Sequence, residues 1–593
     1  MSVRIAAVAL AGITLAAMPA GAEPDLEARF RSPPREDRPW AYWWWLNGNV
    51  DEASITRDLE AMERVGLGGL LHFDVRGYHN DHLPPPPERT VFMSPRWREL
   101  MRHALREAHR LGLSVSVNLS MCAGALVGPW PTGADAPKKL IWTSTEVVGP
   151  ARLDCVLPKI PGTYGAEIAL FAVRCADRTA AEPPAGHIHP PPVWPSQWRS
   201  DVPATNAPVL VEGEPLDLTD KHDAEGRLTW EIPAGRWFLI RWAWTTAVGD
   251  PAQFGQVVTE GDVDVLDAEA VGRHFTRMGA ALLEDAGSLA GSTLTHFYSV
   301  SWEGAAPTWT VRFEEWFQAH CGYSIRPWLP ILAGFAVGGA DQGARVVRDY
   351  HSALAAAMME HFYGELQRRC HAAGLKWHAE SGGPWNRSLA AFARADQLAF
   401  LGRTDMPQGE FWLRDSVGAK RPPEFNRPAA MAAHIYGRPL AAAEAFTHMV
   451  RHWSAHPAVL KPLADTAFCD GINHLIWHTF TASPPEFGLP GVEYFAGSHL
   501  NPNVTWFPMA RPFIEYLARC QTLLRYGLPV ADLAVYVGEQ PYLHWGRGHP
   551  WSTRATLEAP RGYAFDLLNT EVLLTRLECR DGDLVLPEGL RYR

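Results

Sequence analysis

The sequence has few of the features that mark zinc-binding, nucleic-acid-binding or membrane proteins. Its 593 residues include eight cysteines but no CxxC pair or tight cluster, which argues against a structural zinc site or a dense disulfide framework. Fifty-four lysines and arginines stand against 65 acidic residues, so no overall positive field attracts a phosphate backbone and we expect no nucleic-acid partner. Beyond the N-terminal segment no apolar run reaches about 18 residues, so we expect no membrane span.

Three common catalytic signatures are absent as well. The sequence has no GxSxG, no Walker loop and no complete GxGxxG, which leaves a serine hydrolase, an NTPase and a dinucleotide-binding enzyme without support. What is abundant is apolar and aromatic surface: hydrophobic residues make up 47% of the chain, and 25 tryptophans outnumber 15 tyrosines. The flat faces of tryptophan suit sugar rings, and a tryptophan-rich core is the alternative interpretation.

The first residues have the pattern of an export signal. Arg4 precedes an apolar run from Ile5 to Met18, and small residues at 20–22 precede Glu23. The run of about 14 residues is too short to cross a bilayer of about 30 Å. We therefore predict a secretory signal over residues 1–22 and an exported mature chain, periplasmic or extracellular.

Residues 30–137 alternate between predicted strands and predicted helices. The strands are predicted at Trp40–Asn47, Gly68–Val75 and Ser114–Ser120, and the helices between them begin at Asp51 and Ser94, which have the character of N-caps. This alternation with short connections is typical of a parallel α/β sheet. Residues 138–250 change to short alternating strands separated by proline-rich turns, which predicts an inserted β-sandwich-like domain.

The α/β pattern returns in residues 251–527. Five further strands are predicted at Leu294–Val300, Leu375–Glu380, Gln397–Thr404, Pro439–Glu444 and Ile472–His478. With the first three they make eight, the number required by a (β/α)8 TIM barrel. Residues 528–593 begin with a new buried strand and end after another apolar segment, which predicts the start of a C-terminal α/β domain that the chain leaves truncated.

Four glutamates follow or end predicted barrel strands: Glu303, Glu380, Glu410 and Glu444. Because TIM-barrel active sites lie at the carboxyl ends of the strands, we expect the four to converge on one mouth of the barrel. For any single one, a solvated loop carboxylate is the alternative. Paired carboxyl groups beside aromatic surface are what glycoside hydrolysis requires, since one acid stays protonated for the leaving oxygen while a second carboxylate activates water or attacks the sugar.

Several other polar or aromatic residues end predicted strands and are expected to line the same pocket. Amide groups suit sugar hydroxyls, and an indole suits the apolar face of a deoxy sugar. For Trp44, packing in the barrel core is the alternative. The predicted substrate-binding residues are Trp44, Asn47, Asn118, Glu380 and His478.

One acidic cluster admits two interpretations. Asp262, Asp264 and Asp267 have part of the spacing of a calcium loop, but the glycine and the terminal glutamate of such a loop are missing. A turn at the return from the insertion is therefore the favoured interpretation.

Several motifs together resemble one known family, the family 106 glycoside hydrolases, which are α-L-rhamnosidases. The likeness runs from about residue 30 to the C-terminus, and members of that family are considerably longer, so this chain is either a truncated sequence or a minimal member. The motifs are RPW at 38–40 running into WWWLNGN at 43–49, SWEG at 301–304, PQGEFW at 407–412, EAFT at 444–447 and HLNPNVTW at 499–506.

The resemblance implies a (β/α)8 barrel with β-rich domains, inversion at the anomeric carbon and a calcium ion at the sugar, whose ligands it leaves unknown. It implies that Glu303 is the general acid and Glu444 the general base, with Glu410 as a second candidate for the base or for positioning water. The predicted function is hydrolysis of terminal α-L-rhamnose from a carbohydrate substrate. The alternatives are a glycosidase for another neutral or deoxy sugar and a non-catalytic carbohydrate-binding protein on a degenerate barrel.

Overall fold

The structure is a computed structural model, and its description covers ten stretches of the chain. The predicted signal, residues 1–22, lies outside them. The described residues are 25–75, 86–121, 125–175, 209–252, 256–305, 307–380, 396–413, 426–448, 453–538 and 562–593.

Eight parallel strands close into a barrel in which each strand pairs with its neighbours along the chain and the last pairs with the first. The predicted α/β class and (β/α)8 architecture are therefore confirmed. The strands are β1 (Trp40–Leu46), β2 (Gly69–Val75), β3 (Ser114–Asn118), β4 (Leu294–Ser299), β5 (Lys376–Ala379), β6 (Met406–Trp412), β7 (Ala442–Thr447) and β8 (His474–Thr481).

Helices connect the barrel strands and begin at the predicted caps. The Asp51 side chain accepts a hydrogen bond from the Ser54 backbone at 2.8 Å, and Ser94 caps the next helix with Pro95 in its first turn. In the stretches described here, no helix is both long and apolar enough to cross a membrane. The α-helices are Leu26–Arg31, Glu52–Val65, Pro95–Leu111, Ala268–His274, Ala280–Ala286, Phe313–Cys321, Leu329–Leu332, Ala340–Met358, Glu365–Ala372, Gln397–Gly402, Asn426–Ile435, Pro457–Cys469, Arg511–Leu524 and Thr570–Thr575.

The alternation of side chains along β1 divides its aromatic residues between two environments. Tyr42 and Trp44 belong to the cluster inside the barrel, whereas Trp43 and Trp45 pack outward among the helices. Successive side chains of a strand point to opposite faces, so a fully apolar strand serves both layers of a barrel at once. The same alternation places the Tyr42 side chain inside the barrel, below the mouth.

The sixth predicted strand is wrong in position. Residues 397–402 form a helix, because the Asp396 side chain accepts a hydrogen bond from the Ala399 backbone at 3.0 Å and caps it. A short apolar run does not by itself distinguish a strand from a buried helix. The true strand is β6, so Glu410 lies inside a strand and not in the loop after one.

The described part of the insertion forms one four-stranded antiparallel sheet. One face packs on the main core through residues such as Trp142 and Trp242, and the other carries a small apolar cluster that includes Leu170 and Leu239. A period-2 pattern shows that strands are half buried but not what buries them. The strands are Lys138–Val156, Gly165–Arg174, Leu216–Asp217 and Arg227–Thr246, and a separate short pair joins Val209–Leu210 to Phe335–Ala336.

The C-terminal segment packs against barrel helices. Its residues Leu567 and Tyr592 share an apolar cluster with Leu401 and Tyr436, and Asp566 lies 2.9 Å from His434. The parallel pair is Leu533–Tyr536 with Phe565–Leu568, and the antiparallel strands are Glu578–Arg580, Asp583–Val585 and Arg591–Tyr592.

The three aspartates at the return from the insertion each hold a turn. Asp262 accepts a hydrogen bond from the Thr259 backbone at 2.8 Å, and Asp267 caps the helix that begins at Ala268. Asp264 is fully buried with Lys138, and the ammonium lies 3.6 Å from its carboxylate. This ion pair joins the two chain segments that connect barrel and insertion. Burial raises the pKa of Asp264 to about 6, while Lys138 opposes that rise.

We predict that Lys138→Met lowers the free energy of unfolding by about 3–5 kcal/mol, because it leaves a buried carboxyl group without its counter-charge. Without the Lys138 ammonium, the pKa of Asp264 in the folded variant rises further. At pH 8 the folded state then holds a proton that the unfolded state has released, so the loss of stability should be larger at pH 8 than at pH 5. Urea unfolding at both pH values measures this. Lys139→Met is the matched control: its ion pair with Asp250 is partly exposed and should cost about 1 kcal/mol or less. Equal losses in the two variants would contradict the prediction.

Candidate active site

Four carboxyl groups meet at the mouth of the barrel, as the sequence predicted. Glu410 and Glu444 are register partners on β6 and β7, and Glu380 directly follows β5. Glu303 lies in the loop after β4, where burial, followed by the charges of Glu380 and Glu444, raises its pKa. We call these four residues the glutamate cluster.

Glu380 is held by hydrogen bonds from three directions. The Tyr42 hydroxyl donates to Glu380 Oε1 at 2.9 Å, the Gln408 amide donates to the same oxygen, and the Ser301 backbone donates to Oε2 at 3.1 Å. Burial and the charge of Glu444 raise the pKa of Glu380 to about 7, and the hydroxyl groups around it oppose that rise. These donors orient the carboxylate and favour its charged form.

A chain of hydrogen bonds below Glu380 fixes the orientation of the Gln408 amide. His378 Nε2 lies 2.5 Å from Gln408 Oε1, and because an amide oxygen only accepts, this histidine nitrogen must carry the proton. The Gln408 amide nitrogen is then directed at Glu380 and at the Tyr42 hydroxyl, which lies 2.8 Å away. Polar contacts inside the barrel therefore hold the Gln408 amide in the orientation that directs its nitrogen at Glu380.

A β-bulge brings a hydroxyl group to Glu444. Phe411 pairs with Ala445 and Trp412 with Thr447, so Phe446 is an extra residue, with a φ of 68°. The extra residue changes the alternation and turns Thr447 to the same face as Glu444. The Thr447 hydroxyl donates a hydrogen bond to Glu444 Oε1.

The surroundings of Glu444 stabilise its charged form. Burial raises its pKa to about 7, while the hydroxyl groups of Thr447 and Tyr42 act in the opposite direction. His478 Nδ1 lies 3.4 Å from Glu444 Oε1 and 3.2 Å from the Thr447 hydroxyl. Burial lowers the pKa of His478 to about 3, so its ring is neutral near neutral pH.

Glu303 and Glu410 have the opposite character. Burial, followed by the charges of Glu380 and Glu444, raises the pKa of Glu303 to about 8. Glu410 is buried and its Oε1 has no hydrogen-bond partner within the described structure. Burial and the neighbouring carboxylates raise its pKa well above the ordinary range, and Trp412 opposes the rise. Burial and the neighbouring charges therefore favour the protonated form of both groups, whereas Glu444 has donors that favour the charge.

The remaining predicted residues fall into two sets. Trp44 is stacked between Tyr494, at 3.9 Å, and Phe73, at 4.4 Å, and its ring centroid lies 5.7 Å from that of His478, so it joins the site as a packed wall. The contacts described for the two asparagines are with loop backbone: Asn47 donates to the Pro86 carbonyl at 2.7 Å and Asn118 to the Ser120 carbonyl at 2.9 Å.

Sequence reasoning missed several side chains that shape the site. Tyr42 and Gln408 lie two residues before Trp44 and Glu410, so the alternation of β1 and β6 was a sufficient signal for both. Thr447 had no such signal, because its position depends on the bulge. Tyr494 comes from the chain after β8, and only tertiary packing brings it to Trp44.

The implied calcium ion fits the donors in kind but not in number. Glutamate oxygens are the ligands that calcium prefers, yet among the residues described no three acidic, histidine or cysteine side chains converge to hold a metal ion. Calcium takes six to eight oxygen ligands. A calcium ion here would therefore need sugar hydroxyls and water as further ligands.

A (β/α)8 barrel with protonated and charged carboxyl groups side by side at its mouth is the arrangement of the barrel glycoside hydrolases. Within that class the chain belongs to glycoside hydrolase family 106, described as alpha-L-rhamnosidase, whose family model matches residues 31–187 and 185–593. The family resemblance noted in the sequence is thereby confirmed.

Two known proteins resemble the chain over nearly its whole length. The solved structure of a rhamnosidase from Novosphingobium sp. PP1Y is 25% identical, with a TM-score of 0.77, covering 96% of this chain and 67% of that one. A curated relative from Formosa agariphila, named provisionally as a beta-glucuronidase, is 28% identical over 592 residues, covering 96% of this chain and 47% of the relative. The chain thus spans about half the length of this curated relative.

We predict that Glu303→Gln raises the melting temperature at pH 8 and leaves it nearly unchanged at pH 4.5. The folded protein keeps Glu303 protonated up to a pKa of about 8, whereas the unfolded chain ionises near 4.5, so the wild type loses stability as pH rises between these values. Glutamine removes this loss. Thermal unfolding from pH 4.5 to 8 measures it, with exposed Glu231 as the control for Glu→Gln substitution. A variant that is destabilised equally at every pH would show that Glu303 is not a desolvated acid.

Proposed function

We propose that the protein is an exported glycoside hydrolase that releases terminal α-L-rhamnose from glycans or glycosides with inversion. The carrying observation is the contrast within the glutamate cluster between Glu303, which is desolvated and protonated, and Glu444, whose charge is supported by hydroxyl groups. Inverting hydrolysis needs this pair of states in two carboxyl groups. Membership of the rhamnosidase family supports the choice of sugar.

In the proposed mechanism Glu303 gives its proton to the glycosidic oxygen as the C–O bond breaks. Glu444 takes a proton from a water molecule, whose oxygen attacks the anomeric carbon from the opposite face. Solvent then returns a proton to Glu303 and removes one from Glu444. Inversion requires the two carboxyl groups to lie about 6.5–9.5 Å apart, with the water between them.

We assign Glu444 and not Glu410 as the base. Glu444 receives a hydrogen bond from Thr447, whereas Glu410 Oε1 has no hydrogen-bond partner within the described structure, and burial with the neighbouring carboxylates raises the pKa of Glu410 despite Trp412. A protonated carboxyl group is a hydrogen-bond donor, so Glu410 is suited to holding a sugar hydroxyl or the attacking water. Glu410 thus keeps the role of positioning water, which was one of the two roles that the family resemblance implied for this residue.

The charge of the site favours a neutral sugar. Across the described residues no arginine or lysine forms an ion pair with the glutamate cluster, so the carboxylate of a uronic acid would meet like charge without a partner. A neutral deoxy sugar has no such penalty. This supports rhamnose over the glucuronic acid in the name of the Formosa relative, and another neutral or deoxy sugar is the alternative.

We predict that the purified protein hydrolyses 4-nitrophenyl α-L-rhamnoside and not 4-nitrophenyl β-D-glucuronide, because only the neutral sugar avoids unpaired charge in the site. Release of nitrophenol measures the rate, and ¹H NMR of the first product should show β-L-rhamnose. An α-product would refute inversion. Sugar binding with no turnover on either substrate would favour the non-catalytic alternative.

We also propose that a calcium ion assists the sugar site, completed by sugar hydroxyls and water. Removal of divalent cations with a chelator should then lower activity on the rhamnoside at least tenfold, and calcium should restore it where magnesium does not. Calorimetric titration of the chelated protein with calcium, with and without rhamnose, provides a second readout. Full activity and no calcium binding in the chelated protein would exclude the ion.

Export rests on the N-terminal segment, which lies outside the described residues. Removal of residues 1–22 would leave Glu23 as the first residue of the mature chain. Mass spectrometry of the protein recovered from the periplasm or medium tests this, and an intact N-terminus on a cytoplasmic protein would contradict it.

We predict that Glu303→Gln loses about 10²–10⁴-fold in kcat/KM on a natural rhamnoside and much less on an aryl rhamnoside with a leaving-group pKa near 7, because a good leaving group departs without the proton. Glu444→Gln should be severely impaired on both substrates, because activation of water is needed in each case. Steady-state kinetics of both variants measure this. Equal and severe losses on the activated substrate would show that Glu303 is not the acid.

A further inference from the structure

A cavity of about 740 Å³ reaches the loop that carries Glu303. Asn47 at the end of β1, Met121 after β3 and Gly304 line it, and Gly304 is the residue next to Glu303. The rest of its wall comes largely from two segments that lead into and out of the inserted sheet, residues 125–131 and 256–262. Its volume is within the usual range of about 300–1,000 Å³ for ligand sites.

We infer that this cavity holds the group to which rhamnose is attached, and that this group is an uncharged sugar ring stacked on Trp130. The inference rests on the proposed function. A general acid must face the glycosidic oxygen, so the leaving group extends from the sugar on the side of Glu303. Gly304, the chain neighbour of Glu303, lines the cavity and connects it to the loop of the proposed acid.

The Trp130 indole is built into the cavity wall before any ligand arrives. The guanidinium of Arg277 lies 4.1 Å from its ring centroid and covers one face. Gly128 lies against the same indole, since a Cβ at that position would stand 2.9 Å from Nε1. The Gly128 backbone donates to the Gly261 carbonyl at 3.0 Å and ties the two wall segments together. A fixed aromatic surface of this kind suits the apolar face of a pyranose.

Apart from Arg277, whose guanidinium covers one face of Trp130, the charged residues at the described cavity wall are acidic and disfavour an acidic leaving group. Glu88, Glu260 and Asp262 line it, and none of its lining residues in the described structure is lysine, arginine or histidine. A uronic acid would therefore bring its carboxylate among like charges. The hydroxyl groups of an uncharged hexose can instead donate hydrogen bonds to these carboxylates.

A second cavity near Glu303 is less suitable. Its volume is about 390 Å³, and its lining includes Trp302 and the ion-paired residues Lys139 and Asp250. None of its lining residues lies in or directly after a barrel strand, and it shares Asp262 with the larger cavity.

Three substrates distinguish effects on binding of the leaving group from effects on the chemistry at the rhamnose. α-L-Rhamnosyl fluoride has the smallest leaving group and reports on chemistry at the rhamnose. Two disaccharides of the same linkage, one from rhamnose to glucose and one from rhamnose to galacturonic acid, report on the cavity. We expect kcat/KM for the glucose-linked substrate to exceed that for the galacturonate-linked one at least tenfold.

The variants Trp130→Ala and Gly128→Ala test the aromatic surface directly. Each should lower kcat/KM for the glucose-linked disaccharide about tenfold relative to kcat/KM for the fluoride, mainly through a higher KM, because the ring loses its stacking partner. Trp230→Ala is the matched control, since Trp230 is a half-buried tryptophan of the inserted sheet that does not line the cavity. It should leave the ratio of the two substrates unchanged.

Two results would overturn the inference: equal losses on fluoride and disaccharide in Trp130→Ala, or equal turnover of the glucose-linked and galacturonate-linked substrates by the wild type. A wild-type protein that leaves rhamnosyl fluoride intact would instead contradict the proposed function. Calorimetry in the Glu303→Gln background keeps the cavity testable in that case. The glucose-linked disaccharide should bind this protein about tenfold more weakly when Trp130→Ala is added, and unchanged affinity would refute the site.

Discussion

The mouth of the barrel depends on one electrostatic constraint: four carboxyl groups lie close together, and three of them, Glu380, Glu410 and Glu444, are buried. They cannot all be charged at once, because each charge raises the pKa of its neighbours and burial penalises every one of them. Hydrogen-bond donors decide where the charge resides. Donors around Glu380 and Glu444 favour the charge there, whereas burial and the neighbouring carboxylates favour a proton on Glu303 and on Glu410.

The interior of the barrel supplies these donors. Tyr42 and Gln408 rise from strands whose alternate residues fill the lumen, and His378 below them fixes the direction of the Gln408 amide. A bulge at Phe446 adds the hydroxyl of Thr447 on the correct face. The packed core of the barrel therefore prepares the protonation pattern before a ligand binds, which is the preorganisation that catalysis by charge requires.

The insertion contributes more than an added sheet. The segments that lead into it and back are joined by the buried pair of Lys138 and Asp264, and they continue into the wall that carries Trp130. The junction between barrel and insertion thus places an aromatic surface next to the loop of Glu303. One face of the inserted sheet packs on the main core, and the other carries its own small apolar cluster.

By itself the sequence determined the eight-stranded barrel, the helix starts at Asp51 and Ser94, and the convergence of four glutamates, because periodicity, caps and strand ends are local signals. It misplaced β6, since a short apolar run reads equally as strand or helix until the cap at Asp396 is known. Only the tertiary structure decided which carboxyl groups keep their protons and which aromatic rings meet. Those properties depend on burial and on contacts between residues as distant as Tyr42 and Glu380, which no local pattern contains.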